Sequence, residues 1–113
     1  MLPSRGLKLP KDTEEFLRRL KSKTKVTPNV LSRLAFFRSV EGGYRYTGQD
    51  IKLDGSLVLD KITWLGELEL AVDCTLLMLY PDAEPKELEK AWAAHVADGA
   101  RLIRTVDKLV DLV

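Results

Sequence analysis

Apolar positions along the chain recur mostly at intervals of three and four, and four segments follow that rhythm. In "KDTEEFLRRLKSK", Phe16, Leu17 and Leu20 form one stripe behind an acidic first turn. Asp12 with Glu15 three residues on has the form of a capping box, so the spacing predicts a helix from about Asp12 to Lys23. In "TPNVLSRLAFFRSVEGG", Thr27 reads as N-cap and Pro28 as the first helical residue. Val30, Leu31, Leu34, Ala35 and one of Phe36 or Phe37 repeat at helical spacing until Gly42 and Gly43 stop the run. A third helix runs from Ile62 to Leu79, apolar over most of its circumference and ended by Pro81. Such a helix must be covered on nearly all sides, which a short chain supplies most economically by forming an oligomer.

The fourth segment begins with Pro85 at a helix start. Its stripe of Leu88, Trp92, Val96, Gly99, Ile103, Val106 and Val110 passes through Asp98-Gly99 in phase, so one long helix is the first reading and two helices broken there the alternative. Between the helices the pattern weakens. "RGLKLP" alternates briefly before Pro10, which suggests a short strand or arm. Asp54-Gly55 is a hairpin signal in a stretch that reads equally well as an irregular loop.

The expected fold class is mainly α: a four-helix single domain spanning residues 1–113. An arm followed by two short helices, the second opened by Thr-Pro-Asn, has the order of a ribbon-helix-helix module. In that reading Arg5 and Lys8 would reach the major groove from paired strands of a dimer. Pro10 and the brevity of the arm weigh against it.

The net charge is only +1, but it is unevenly spread: residues 1–45 hold 11 Lys/Arg against 4 Asp/Glu, and residues 46–113 hold 7 against 13. A basic half followed by an acidic half can attract a polyanion to one face whatever the total. Five cations, Arg18, Arg19, Lys21, Lys23 and Lys25, fall within eight residues. Cations at a helix C-terminus account for two or three of these. Lysines interleaved with serine and threonine suit phosphate contact and offer no means of reading bases. Arg18, Arg19, Lys21, Lys23 and Lys25 are therefore candidates for binding a DNA or RNA backbone, with Arg33 and Arg38 added from the second helix, a plain solvated surface being the bland alternative. An acidic protein partner is the alternative target of the same surface.

No glycine-rich phosphate loop, Cys/His metal spacing or nucleophile motif is present, so the chain is expected to be non-enzymatic, without cofactor or metal. Glu67/Glu69 and Glu87/Glu89 are spaced by two and read as solvated surface. Lone Cys74 lies in an apolar run and is expected to be a buried thiol in a reducing, cytoplasmic setting. His95, beside apolar positions, reads as structural. The longest apolar run, "CTLLMLY", is far short of a membrane span.

"LKLPKDTEEFLRRLKSKTKVTPNVLSRLAFFRSVEGG", then "YTGQDI" and "AWAAHVADGARLI", together resemble the DndE family of the bacterial DNA phosphorothioation system. Thr27, Pro28, Asn29, Arg33, Leu34 and Ala35 match its helix start, and His95 with Gly99 match a late His-x-x-x-Gly element. The resemblance implies a small, mainly helical protein acting with other Dnd proteins while sulfur replaces a non-bridging phosphate oxygen. It also implies a homotetramer that binds duplex DNA, preferentially nicked, through basic surface residues. It supplies no catalytic residue.

Overall fold

The structure is a computed structural model describing residues 7–55 and 69–111, with side chains except at residues 29, 69, 70 and 104–111. Among the described residues there are four helices and no strand: α1 (Lys11–Thr24), α2 (Pro28–Glu41), α3 (Glu69–Leu79) and α4 (Pro85–Asp111). The all-α, four-helix expectation holds. Arg5 of the proposed ribbon, the predicted start of the third helix at Ile62, Glu67 and the residues beyond Gly55 in the hairpin signal lie outside the described residues.

α4 is the centre of the molecule. From Ala91 to Val96 six consecutive residues are buried, which happens to a helix only where neighbours cover it all round. Alanines at positions 91, 93 and 94 let those neighbours come close, while Trp92 fills the space between them. The helix continues through Gly99 unbroken, as the in-phase stripe requires. Gly99 is needed for a packing reason: a Cβ there would overlap the carbonyl oxygen of Ala35, where α2 crosses α4.

α1 buries Leu17 and Leu20 as expected, but its start differs from the capping-box reading. The N-cap position is Pro10, and the Lys11 N–H donates to Asp54 Oδ1 at 2.8 Å from 43 residues away. With an acceptor supplied from the following loop, Asp12 falls inside the first turn and, among the described residues, accepts only its neighbour's Thr13 N–H. The same loop is fastened by the Gly55 N–H, which donates to the Leu9 carbonyl at 2.9 Å. Leu7 and Leu9 are buried, so the arm before α1 packs into its own chain and does not stand free as a ribbon.

α2 starts as the sequence predicts, with Thr27 as N-cap and Pro28 in the first turn, and ends at Glu41 before Gly42 and Gly43 (φ +87). Its buried face is not the expected one. Leu31, Ser32, Ala35, Phe36 and Ser39 point inward, while Val30 and Leu34 are exposed, Leu34 by 55%. α3 buries Val72, Asp73 and Leu76, which turns Cys74 outward; the expectation of a buried thiol is wrong because the cysteine lies opposite the packed face.

Candidate nucleic-acid interface

The cationic run lies along the second half of α1 and the turn into α2, and the helix divides it into two stripes. Arg18 and Lys21 lie three apart along one flank of the helix, Arg19 and Lys23 four apart on the next, and Lys25 stands just beyond its last turn. All five are exposed. Arg18 is partly committed, since its guanidinium pairs at 2.7 Å with Glu14, whose carboxylate is 4% exposed. Arg19 faces a cleft that also contains Asp12 and Glu15.

Lys25 closes α1 in an unusual way. It adopts the left-handed conformation at φ 65, its N–H donating to the Lys21 carbonyl at 2.9 Å. Helices end readily on such a residue when it is glycine; a side chain there costs roughly 1 kcal/mol. Two residues later Thr27 Oγ1 accepts the Val30 N–H at 3.5 Å, the outer limit of a hydrogen bond. No acidic side chain occupies the first turn of α2, so nothing there opposes an approaching anion.

The two α2 arginines do not join this cluster equally. Arg33 is half-buried with its Nε shielded and unpartnered, so it does not lie wholly on the polar face as the periodicity suggested. Arg38 is exposed but falls in the last turn of α2, about 15 Å along the helix from its start.

A second polar constellation crosses the core. The Ser39 hydroxyl donates to Asp98 Oδ2 at 2.9 Å, because a carboxylate can only accept. Its oxygen therefore accepts from His95 Nδ1–H at 2.9 Å. That leaves His95 Nε2 to accept from the Tyr80 hydroxyl at 2.7 Å, and the Tyr80 oxygen in turn takes the Tyr46 N–H at 2.7 Å. Arg101 completes the chain at 2.8 Å from Asp98. Every proton has one direction, and His95 is neutral; burial, then the Arg45 charge, hold its pKa down at about 4 against the opposing pull of Asp98. The same burial raises the Tyr44 hydroxyl, with Tyr80 and Asp98 adding to it.

Serine, histidine and aspartate side by side invite comparison with a hydrolase triad, but the polarity is reversed. In a triad histidine takes the serine proton, whereas here serine accepts from histidine and gives its own proton to aspartate. Ser39 and His95 are both fully buried, so no substrate reaches them. Among the described residues no group of three His, Cys, Asp or Glu could hold a metal ion.

The family model for the DNA sulphur modification protein DndE matches residues 6–111. The chain belongs to the DndE family. The crystal structure of DndE from Escherichia coli B7A, involved in DNA phosphorothioation modification, superposes with a TM-score of 0.86 at 56% identity, covering 91% of this chain and 99% of that one. A DndE mutant carrying two glycine-to-lysine changes, involved in DNA phosphorothioation, gives a TM-score of 0.83 at 57% identity, covering 90% and 98%. Among curated proteins no match is found.

Within this DndE-family chain, the basic run was legible because it is local in sequence. The Ser39–His95–Asp98–Tyr80 chain was not, since its members lie up to 59 residues apart and each alone is unremarked. Its only signal was a histidine between apolar positions, which must find partners if buried.

Proposed function

We propose that this chain is a non-enzymatic DNA-binding subunit of a DNA phosphorothioation machinery, gripping the duplex backbone without reading bases. Membership of the DNA sulphur modification family DndE supplies the setting. The observation that carries the reading is the exposed cation set at the α1–α2 turn, with Lys25 kept at a left-handed position where glycine would relieve strain. Lys21 and Lys25 lead the assignment, with Lys23, Arg18 and Arg19 beside them and Arg33 and Arg38 as outlying members. Each acts as a charge that displaces counterions, so affinity falls steeply with salt.

The subunit works as a homo-oligomer, a tetramer in the form implied by the resemblance, alongside other Dnd proteins in the cytoplasm. Support comes from α3, whose outward Cys74, Leu77 and Met78 carry no charge, Met78 being 80% exposed. No helix of the described residues is long and apolar enough to cross a membrane.

Binding to matched intact, nicked and single-stranded DNA across a salt series, with oligomer mass from the same sample, tests this reading. Tight, salt-sensitive, sequence-indifferent binding strongest at the nick is expected. The Lys21→Ala/Lys23→Ala/Lys25→Ala variant should bind more weakly with its mass unchanged. Equal affinity in wild type and triple variant would remove the site.

A further inference from the structure

A cleft whose lining includes none of Arg18, Lys21, Lys23 and Lys25 offers a seat for a second kind of partner. The cleft holds about 1010 Å³ between α1, α4 and the segment carrying Tyr44 and residues 49–54. α1 presents Asp12, Glu15, Phe16 and Arg19 to it, and α4 presents Ala94, Ala97, Asp98 and Arg101. Both sets are spaced at i, i+3, i+4 and i+7. Two helices each offering two turns of one face make the seat into which a third helix packs.

The lining decides what class of molecule fits. Four cations (Lys11, Arg19, Lys52, Arg101) stand against five carboxylates (Asp12, Glu15, Asp50, Asp54, Asp98), a net negative charge that disfavours a nucleic-acid strand. Asp54 already serves the start of α1, and Asp98 is held by Ser39 and Arg101. The carboxylates left without an ion pair among the described residues are Asp12, Glu15 and Asp50, facing Lys11, Arg19 and Lys52 in the same state. Phe16 and Ile51, both half-buried, and the alanines of α4 give the cleft apolar walls between those charges.

A second copy of the chain does not suit this seat. Among the described residues, α1, α2 and α4 as far as Ile103 turn their apolar faces into their own core, and the exposed face of α3 carries Cys74, Leu77 and Met78 with no charge to meet the rim. We infer that the cleft receives an amphipathic helix of two to three turns with a net basic polar face, contributed by another protein of the modification system. This assignment rests on family membership and the cleft, and shares only Arg19 with the residues proposed for DNA. It makes the chain an adaptor with DNA on one surface and a protein helix on another.

The test uses the purified full-length chain with each purified Dnd protein of the same system, measuring binding by calorimetry. Ala97→Trp fills the cleft, and Glu15→Lys/Asp50→Lys reverses its rim on exposed positions that leave the core untouched. One partner is expected to bind the wild type and to lose on the order of tenfold or more in affinity with each variant. Affinity of Ala97→Trp for nicked duplex DNA, measured in parallel, should stay at the wild-type value. Melting curves show whether Ala97→Trp folds; where it does not, the rim variant alone decides. Failure of every Dnd protein to bind, or binding indifferent to both variants, overturns the inference. Loss of DNA affinity in folded Ala97→Trp would give the cleft to nucleic acid, and a change of oligomer mass would give it to a second copy; either outcome also overturns it.

Discussion

Lys25 places a cation where the backbone disfavours any side chain. Its left-handed backbone is the conformation glycine adopts without penalty, yet the chain places a lysine there, beside Lys21 and ahead of an α2 start free of acid. Replacing Lys25 by Gly should therefore raise stability by up to about 1 kcal/mol, offset in part by the extra freedom of the unfolded chain, while weakening DNA binding. Thermal melting and a DNA titration on the same variant check both halves. A variant that melts higher and binds DNA as before would leave the strain unexplained by phosphate contact.

His95 makes a different prediction at the same scale. Folded, it titrates near 4; unfolded, near its ordinary 6.5. Between those values the unfolded chain binds the proton and the folded one does not, so stability is fully present above about 6.5 and declines as pH falls towards 4. The slope is about 1.4 kcal/mol per pH unit through the middle of that window. Denaturant titrations at pH 7, 6 and 5 should show it. In Ser39→Ala, Asp98 loses the hydroxyl that donates to it and His95 Nδ1–H loses its acceptor, so that variant should be destabilised by roughly 2 kcal/mol even at pH 7.

At the level of elements, what could be read in advance depended on how far apart the deciding residues lay. The starts and stops of α2 and the continuity of α4 follow from signals a few residues long: Thr27-Pro28, Gly42-Gly43, and an unbroken stripe from Leu88 to Val96. The buried face of α2 does not, because its apolar residues surround the helix and its inward serine is chosen by partners on α4. The start of α1 escaped for the same reason, with Asp54 acting from the far side of a loop. Of the candidate site, the cations of α1 were visible as a run. Their division into two stripes follows from helical spacing, whereas the half-burial of Arg33 required the packing.

Gly99 joins the two kinds of information. In the sequence it is a weak point in a long helix; in the fold it is where the backbones of α2 and α4 touch. Gly99→Ala should raise the helix propensity of α4 by up to 1 kcal/mol and still destabilise the protein, because Ala35 and its carbonyl must move to admit the methyl. A net loss of about 1 to 3 kcal/mol in denaturant titration is expected. A gain would mean that the crossing has slack and that the glycine serves another purpose.

For the whole molecule, the proposed DNA binding asks how a chain of net charge +1 would hold a polyanion. Each copy carries one exposed cation cluster at the end of α1, and assembly would multiply that cluster, so that a duplex would meet several cation sets at once. The exposed α3 residues allow a test that leaves charge unchanged. Leu77→Ser/Met78→Ser removes apolar surface from the uncharged face and touches none of the candidate DNA contacts. Mass measured at micromolar concentration should drop towards the monomer. On DNA, affinity should fall, and so should the dependence of log affinity on log salt, since that slope scales with the number of phosphates neutralised per complex. A monomeric variant that kept the full slope would show that one copy makes all the contacts. A variant still assembled would move the interface away from α3, and the exposed Val30 and Leu34 of α2 would be the next face to change.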